Sequence, residues 1–540
     1  MAIPFLLIGS SFLQLCLGGQ LYTSPDQVTK KYDFIVVGAG TAGSVVAARL
    51  SEEPSVQVLV IEAGVSDNGT DSDIIYVPLL VGTGVGTILD WNYTTVAQSG
   101  LNGRTIDFPR GFVLGGSSCI NGMIYSRGGS DEYDRLATVS GDSGWSWKEL
   151  QQWNEHHTPP WNDRRNIGEY NPLVHGFGPL ATGLTPTVFE TEQRVFQMTD
   201  NRPELYPFNL DPNSTNGLGF SWFHTTVGTN ARSTSGLAYL HPALNSCSNL
   251  DVLIHTQVTK LIEMETNTYT GVQVAQSATA KHFLFTASKE VILSAGTIGT
   301  PQLLMLSGIG PAAELSKVDI SCVHDVPDVG CNLQDQNILA IQWEVSSPTL
   351  LMFLSNETAL RAALAQYAGN KTGIAAGNTV RVVDHPDNWE LDVRLNCPTV
   401  AHIPNPFDHP VIDPAYLQTS FDIDTYVAAI KTLQTLMSTP AWDGFLLTPF
   451  TDVANLATDA LIEGYVRKFA STLKHPTSTA TISKSTDKGG VVGPDLLVKG
   501  LKGLRIVDAS ILPSAVAGFP QAEIYILAER AAALIKSSRL

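Results

Sequence analysis

The stretch from Tyr32 to Gly43 reads YDFIVVGAGTAG, and LVIEAG then places Glu62 nineteen residues beyond Gly43. No other feature constrains the fold so tightly, because strand, glycine turn, helix, strand and acid follow in the order of a dinucleotide site. Phe34 to Val37 has the length and β-branching of a buried parallel strand. Gly38 permits the tight turn, Gly40 lets the backbone approach a pyrophosphate, and Gly43 lets the following helix pack closely on the strand. That helix, expected over about residues 42–51, offers its positive N-terminus to the phosphates. A second strand, residues 56–61, brings the Glu62 carboxylate to a ribose hydroxyl.

With 540 residues the chain exceeds the usual limit for one core, so two domains are expected. A formal net charge of −18 and the absence of a basic run argue against nucleic acid or an anionic membrane as partner. The first 25 residues carry no charged side chain, and Pro4 to Leu17 is too short for a membrane span. Followed by Gly18 and Gly19, it reads as a signal-peptide core and predicts secretion. Five N-x-S/T sequons, at Asn68, Asn92, Asn213, Asn356 and Asn370, fit a secreted glycoprotein. Of six cysteines, Cys16 would leave with the signal; Cys119, Cys247, Cys322, Cys331 and Cys397 form no CxxC and at most one or two disulfides. The twelve histidines include no HExxH or similar ligand spacing, so no metal site is expected.

Strand-like runs ending in small residues recur far apart: FIVVGAG, EVILSAG from Glu290 and LRIVDAS from Leu504. One nucleotide-binding sheet is therefore expected to draw on separated segments. Residues 150–225 and 340–465 have mixed patterns rich in Trp, Pro and Asn and read as a second domain over the ligand. In AEIYILAERAAALI, Ile524, Leu527, Ala528 and Ala531 share one helix face, which is expected to pack beneath the nucleotide site.

Pro109 to Gly128, PRGFVLGGSSCINGMIYSRG, is a second glycine-rich loop whose Gly115, Gly116, Ser117 and Ser118 amides can form an anion nest. Gly296 to Gly310, GTIGTPQLLMLSGIG, is a third, with a tight turn and Pro301 at a helix start after the VILSA strand. With the dinucleotide motif, these loops resemble the two signature segments of the glucose–methanol–choline (GMC) oxidoreductases. The second matches throughout, and the first departs at Phe112, where a basic or polar residue is usual. VGCNLQDQ, HPTSTA and LRIVDASILP follow in the family order, so the resemblance spans residues 30–540 and is nearest secreted fungal aryl-alcohol oxidases and pyranose dehydrogenases.

The resemblance implies an α/β, Rossmann-like FAD-binding domain split over residues 31–150, 225–340 and 465–540, behind a signal peptide of residues 1–20. It implies an α+β substrate domain, residues 151–224 and 341–464, with a six-stranded antiparallel sheet. Gly38, Gly40, Thr41, Ala42 and Gly43 would hold the pyrophosphate, and Glu62 with Ala63 the adenosine ribose. Trp91, Ser117, Asn121, Gly122, Met123 and Ile124 would line the flavin, Val258 the adenine side, and Ala509, Pro520 and Gln521 would close over the ring. Tyr93 falls at the aromatic gate of aryl-alcohol oxidases. Some pyranose dehydrogenases attach FAD through a histidine where Phe112 stands, and phenylalanine cannot form that bond, so the FAD is expected to be non-covalent.

His475 matches the family's catalytic histidine, and a neutral imidazole suits removal of a hydroxyl proton during hydride transfer. The family's second hydrogen-bonding residue, His or Asn, is replaced by Phe519. Gln336 stands for the histidine of NLxDH, Ser478 for the glycine of HPxGT, and Gly493 for an aspartate. The passage from Trp389 to Pro406 is shorter than its counterpart and would carry a strand of the substrate sheet. The expected activity is oxidation of a small alcohol, an aryl or allylic primary alcohol or a sugar, with oxygen or a quinone as electron acceptor. The losses at Phe519 and elsewhere keep two other readings open: a flavin-bound lyase or cyclase of secondary metabolism, and a flavin-binding protein whose catalysis has decayed.

Overall fold

A computed structural model describes residues 18–154, 170–185, 187–215, 217–228, 230–377, 382–385, 400–401, 405–449 and 456–539. The apolar Pro4–Leu17 stretch, expected to be a signal-peptide core, and most of Trp389–Pro406 lie outside the described residues.

Five strands from four distant parts of the chain form the parallel sheet: Leu21–Tyr22, Leu250–Leu253, Val58–Ile61, Tyr32–Val37 and the C-terminal half of Phe283–Leu293, in that spatial order. A sixth, Leu504–Ile506, pairs in parallel with the far side of Val291–Leu293. Phe34, Val36, Leu59, Val252 and Ile292 are wholly buried, as strands covered on both faces require. The N-terminal half of Phe283–Leu293 instead joins an antiparallel meander with Gln257–Glu265 and Thr268–Ala275. The separated strand-like runs thus meet in one sheet, with the observed helix Thr41–Ser51 starting one residue before the expected one.

The C-terminal helix Gln521–Arg539 lies against Thr41–Ser51, with Leu527, Ala528 and Ala531 buried. Arg49 grips Glu529 through Nε and Nη2 at 2.7 and 2.8 Å, and the Tyr239 hydroxyl donates to the same carboxylate. Pro301 sits inside the helix Gly296–Leu306, not at its start. Proline cannot donate to the carbonyl four residues back. The Thr479 hydroxyl takes that place, donating to the Thr297 carbonyl at 2.6 Å, while Thr297 Oγ1 donates to Pro476 O at 2.8 Å. The helix therefore tolerates Pro301 by docking on the HPTSTA segment.

In the substrate domain the described pairings are separate two-stranded ladders. Gly219–Trp222 pairs with Val382–His385, Trp343–Val345 with Leu446–Pro449, and Val400–Ala401 with Val411–Ile412, all antiparallel. Among the described residues they do not join into the expected six-stranded sheet. Asn213 is buried, with Oδ1 accepting from the Arg127 amide at 3.0 Å, so its sequon is closed to a glycan; Asn68, Asn92, Asn356 and Asn370 are exposed. Cys331 is disulfide-bonded, and Cys119, Cys247 and Cys322 are free. No helix among the described residues is long and apolar enough to cross a membrane.

The sheet also contains a buried ion pair. Arg505 Nε and Nη2 meet both oxygens of Glu290 at 2.8 and 2.9 Å, with side-chain exposures of 2% and 0%. Removing one partner leaves the other charge desolvated. Glu290→Ala should therefore lower unfolding stability by about 3–5 kcal/mol, read as a fall in the urea midpoint; an unchanged midpoint would mean that Arg505 finds water in the native state.

Candidate active site

A cleft of about 1220 Å³, mouth included, opens at the carboxyl ends of Tyr32–Val37, Val58–Ile61 and Phe283–Leu293, where open α/β sheets bind ligands. Three glycine turns form its floor and touch one another through backbone. Gly38 has φ +98°, and a Cβ there would lie 2.4 Å from Ser294 O in the third turn. Gly116, at φ +54°, approaches Gly40 so closely that a Cβ would meet the Gly40 Cα at 2.6 Å. The Gly115 amide donates to Ala39 O at 2.8 Å. Gly43 packs on Gly38 O, which a Cβ would meet at 2.0 Å. At Gly40 itself a Cβ would point into open cleft, with only the Gly116 Cα near, at 3.9 Å.

At one end of the cleft lie Glu62, Ala63 and Val258, with Thr256 and Gln257 beside them. Glu62 Oε2 accepts from the Ala39 amide and Oε1 from the Gly64 amide, each at 2.8 Å. Burial still outweighs these bonds and pushes the carboxyl up to about 7. A further donor from the cleft, such as a ribose hydroxyl, would favour the charged form. Gly38, Gly40, Thr41, Ala42, Trp91, Ser117, Ala509 and Pro520 line the path to the other end, where Tyr93 and His475 stand. Asp508 organises the third turn, accepting from the Gly296 amide at 2.9 Å and the Thr300 hydroxyl at 2.6 Å.

Asn121, Gly122, Met123, Ile124 and Gln521 do not line the cleft in this structure. Asn121, Gln521 and the Ile124 carbonyl are tied to one another. Asn121 Nδ2 donates to Gln521 Oε1 at 3.0 Å, and Gln521 Nε2 to the Ile124 carbonyl. Buried Arg232 donates to Asn121 Oδ1 at 2.7 Å, to the Asn121 carbonyl at 2.8 Å and to Ile75 O at 2.7 Å. Nothing local to residue 232 marks it for this role, and Arg110, a cleft-lining cation beside His475, was equally missed.

His475 sits between backbone anchors. Its amide donates to Asp335 Oδ1 at 2.7 Å, and its Nδ1 contacts Gln336 Oε1. Gln336 Nε2 donates to Val516 O at 2.6 Å. Desolvation and the nearby Arg110 and Lys474 cations push the imidazole down to about 3, so it is neutral at working pH. Phe519 stands edge-on to it, ring centroids 5.2 Å apart at 80°, and Phe223 meets Phe519 at 5.7 Å. Tyr93, buried, stacks on Trp91 at 5.5 Å and meets His409 edge-on; Phe112 packs edge-on to Trp91 at 4.4 Å. Ser478 adopts φ +75°, a conformation that suits the glycine of the family pattern.

Away from the cleft, the fold brings His175, Asp211 and His224 together, which their spacing could not reveal. His175 Nε2 lies 2.8 Å from Asp211 Oδ2, and His224 Nε2 lies 3.7 Å from Oδ1. The imidazoles lie within 14° of parallel at 4.7 Å, and one ligand atom from each of the three residues lies within 4.8 Å of the others, a group that could hold a metal ion.

The shape and chemistry of the cleft fit FAD: a glycine cradle with room at Gly40, a helix N-terminus, an acid at one end and a neutral imidazole at the other. Residues 32–338 match the N-terminal sequence model of the GMC oxidoreductases and residues 396–528 the C-terminal one. Dehydrogenase eriK of Hericium erinaceus is 33% identical over 94% of each chain. A pyranose dehydrogenase of Agaricus xanthodermus is 31% identical over 99% of this chain and 98% of its own. An FAD-dependent oxidoreductase from Chaetomium thermophilum superposes with a TM-score of 0.85 at 26% identity, covering 94% of this chain and 99% of that one. The chain belongs to the GMC oxidoreductase family and is an FAD-dependent oxidoreductase acting on CH–OH groups of small molecules.

Proposed function

We propose that the protein oxidises an aryl or allylic primary alcohol to its aldehyde, with His475 as the base and non-covalently held FAD. The observation that carries this reading is the neutral imidazole on the cleft wall, framed by the aromatic rings of Tyr93, Trp91, Phe519 and Phe223. FAD bound in the cleft supplies the acceptor for the two electrons and the hydrogen that leave the carbinol carbon as hydride. His475 takes the hydroxyl proton, so the O–H and one C–H bond break as the C=O bond forms. Positioned base assistance of this kind is worth about 10²–10⁴ in rate. The aromatic walls favour a flat apolar group beside the carbinol over a sugar, whose hydroxyls would lose water without partners.

Gly38, Gly40, Thr41 and Ala42 would hold the pyrophosphate, and Glu62 a ribose hydroxyl. Phe112 has no nucleophile, which supports dissociable FAD. The apolar N-terminal stretch supports secretion, and oxygen or a quinone would reoxidise the cofactor. Phe519 supports a second reading, a flavin-bound lyase or cyclase, because its ring gives no hydrogen bond to a substrate oxygen.

His475→Ala should abolish anaerobic bleaching of the flavin by alcohol while the yellow cofactor stays bound. In the unmutated enzyme the bleaching rate should hold level from pH 8 down to about 5, because the lowered imidazole stays unprotonated there. A loss centred near pH 6.5 would mean an ordinary, solvated imidazole, and unchanged bleaching in the variant would remove His475 from the reaction. Phe519→His, by restoring a donor in a dry site, should raise turnover at least about tenfold, against the roughly 10²–10³ that one preorganised donor can contribute. No gain, together with product formed from a candidate substrate without bleaching, would favour the lyase or cyclase.

A further inference from the structure

We propose that Gln336 is a positioning residue that fixes the tautomer of His475, holding the proton on Nδ1 and leaving the lone pair on Nε2. The inference rests on the reading of His475 as the base and adds what makes that base directional.

A backbone carbonyl can only accept a hydrogen bond, and Gln336 Nε2 lies 2.6 Å from Val516 O, so the glutamine must turn its amide NH2 toward it. The side-chain oxygen then faces His475 Nδ1 and can likewise only accept. Nδ1 must therefore carry the hydrogen, and in a neutral imidazole the other nitrogen, Nε2, keeps the lone pair. Among the described residues Nε2 has no hydrogen-bonding protein partner, and the ring lines the cleft. The opposite tautomer would set Nδ1 and Oε1 lone pair to lone pair.

The neighbouring residues hold this link in place. The Gln334 backbone bonds to Thr477 in both directions at 2.8 and 3.2 Å, and its Oε1 accepts from the Ala515 amide at 2.8 Å. Asp335 accepts from the His475 amide and from the Thr472 and Tyr416 hydroxyls. Gln334 and Gln336 thus tie the histidine segment to the loop ahead of Phe519 and Pro520, while Asp335 anchors the backbone of His475. The charged groups around the ring are Arg110 and Lys474, which oppose protonation, and the Asp335 carboxyl on its backbone side. As the substrate proton arrives on Nε2, the imidazolium shares its charge through Nδ1–H with a neutral amide oxygen. Glutamine therefore steers the proton without adding a negative charge that would protonate the base beforehand.

The test is anaerobic single-turnover flavin reduction by an aryl alcohol over pH 3–9, a range that reaches the acid limb of the lowered imidazole, with FAD content and alcohol affinity measured for each variant. Gln336→Leu removes the acceptor at similar size and should slow limiting reduction about tenfold or more, with FAD content and alcohol affinity unchanged. Gln336→His can accept with one ring nitrogen and donate to Val516 with the other, and should restore the rate to within about threefold. Gln336→Glu puts a negative charge on Nδ1–H and should move the acid limb of the profile up by roughly one pH unit or more. A wild-type rate and profile in Gln336→Leu, or equal impairment in the Leu and His variants, would overturn the proposal. Should Gln336→Leu lose its FAD, the Gln336→Glu profile decides, and an unmoved acid limb overturns it. If His475→Ala still bleaches, the base reading itself falls; if His475→Ala is dead and Gln336→Leu is normal, only the tautomer link falls.

Discussion

The site depends on backbone meeting backbone at Gly38, Gly40 and Gly116. The approaches of Gly116 to Gly40 and of Gly38 to Ser294 leave no room for a Cβ, so the three turns can converge only as glycine-rich segments. Their convergence aligns the helices Thr41–Ser51 and Gly296–Leu306 with their N-termini toward one cleft. Backbone amides and helix dipoles then favour an anion there without a cationic side chain, which is how a chain of net charge −18 accommodates a pyrophosphate. The ion pairs behind the turns, Arg49 with Glu529 and Arg505 with Glu290, hold the C-terminal segments against the sheet that carries the first turn.

At the far end the positive bias comes from side chains instead of backbone: Arg110 and Lys474 keep the His475 imidazole neutral. In the role proposed for it, such an imidazole is available across a wide acidic range, and its proton affinity rises where negative charge develops on a substrate oxygen. The aromatic enclosure keeps that exchange dry, which strengthens each local charge effect. Phe519 makes the wall beside His475 apolar, and its ring has no hydrogen-bond donor to offer there.

What was legible in the sequence was what acts locally. The first glycine turn, its strands and Glu62 lie within one βαβ unit, and the apolar runs from Glu290 and Leu504 announced buried parallel strands. Gly38, Gly40, Thr41, Ala42, Glu62 and Ala63 line the cleft, whereas Gly43 packs on Gly38 O. Interactions between distant segments were not legible. Arg232 serves Asn121 and Ile75 from more than a hundred residues away, and Thr479 supplies the bond that Pro301 denies Thr297. Asn121 and Gln521, expected at the flavin, also hydrogen-bond each other across 400 residues, a link that no local pattern announces. Gln336 was noticed as a departure from NLxDH, yet only the Val516 carbonyl reveals what an amide does there. The positive φ of Ser478 likewise explains a motif glycine that the chain has given up.

The convergence of the turns on a cofactor is tested most directly at Gly40, where an added Cβ meets only the Gly116 Cα, at 3.9 Å. Gly40→Val should fold with an unfolding midpoint close to that of the cofactor-free parent, yet remain colourless when titrated with FAD at concentrations that saturate the parent. A yellow Gly40→Val protein with parental affinity would contradict the account, since the cradle would then not be where the cofactor lies.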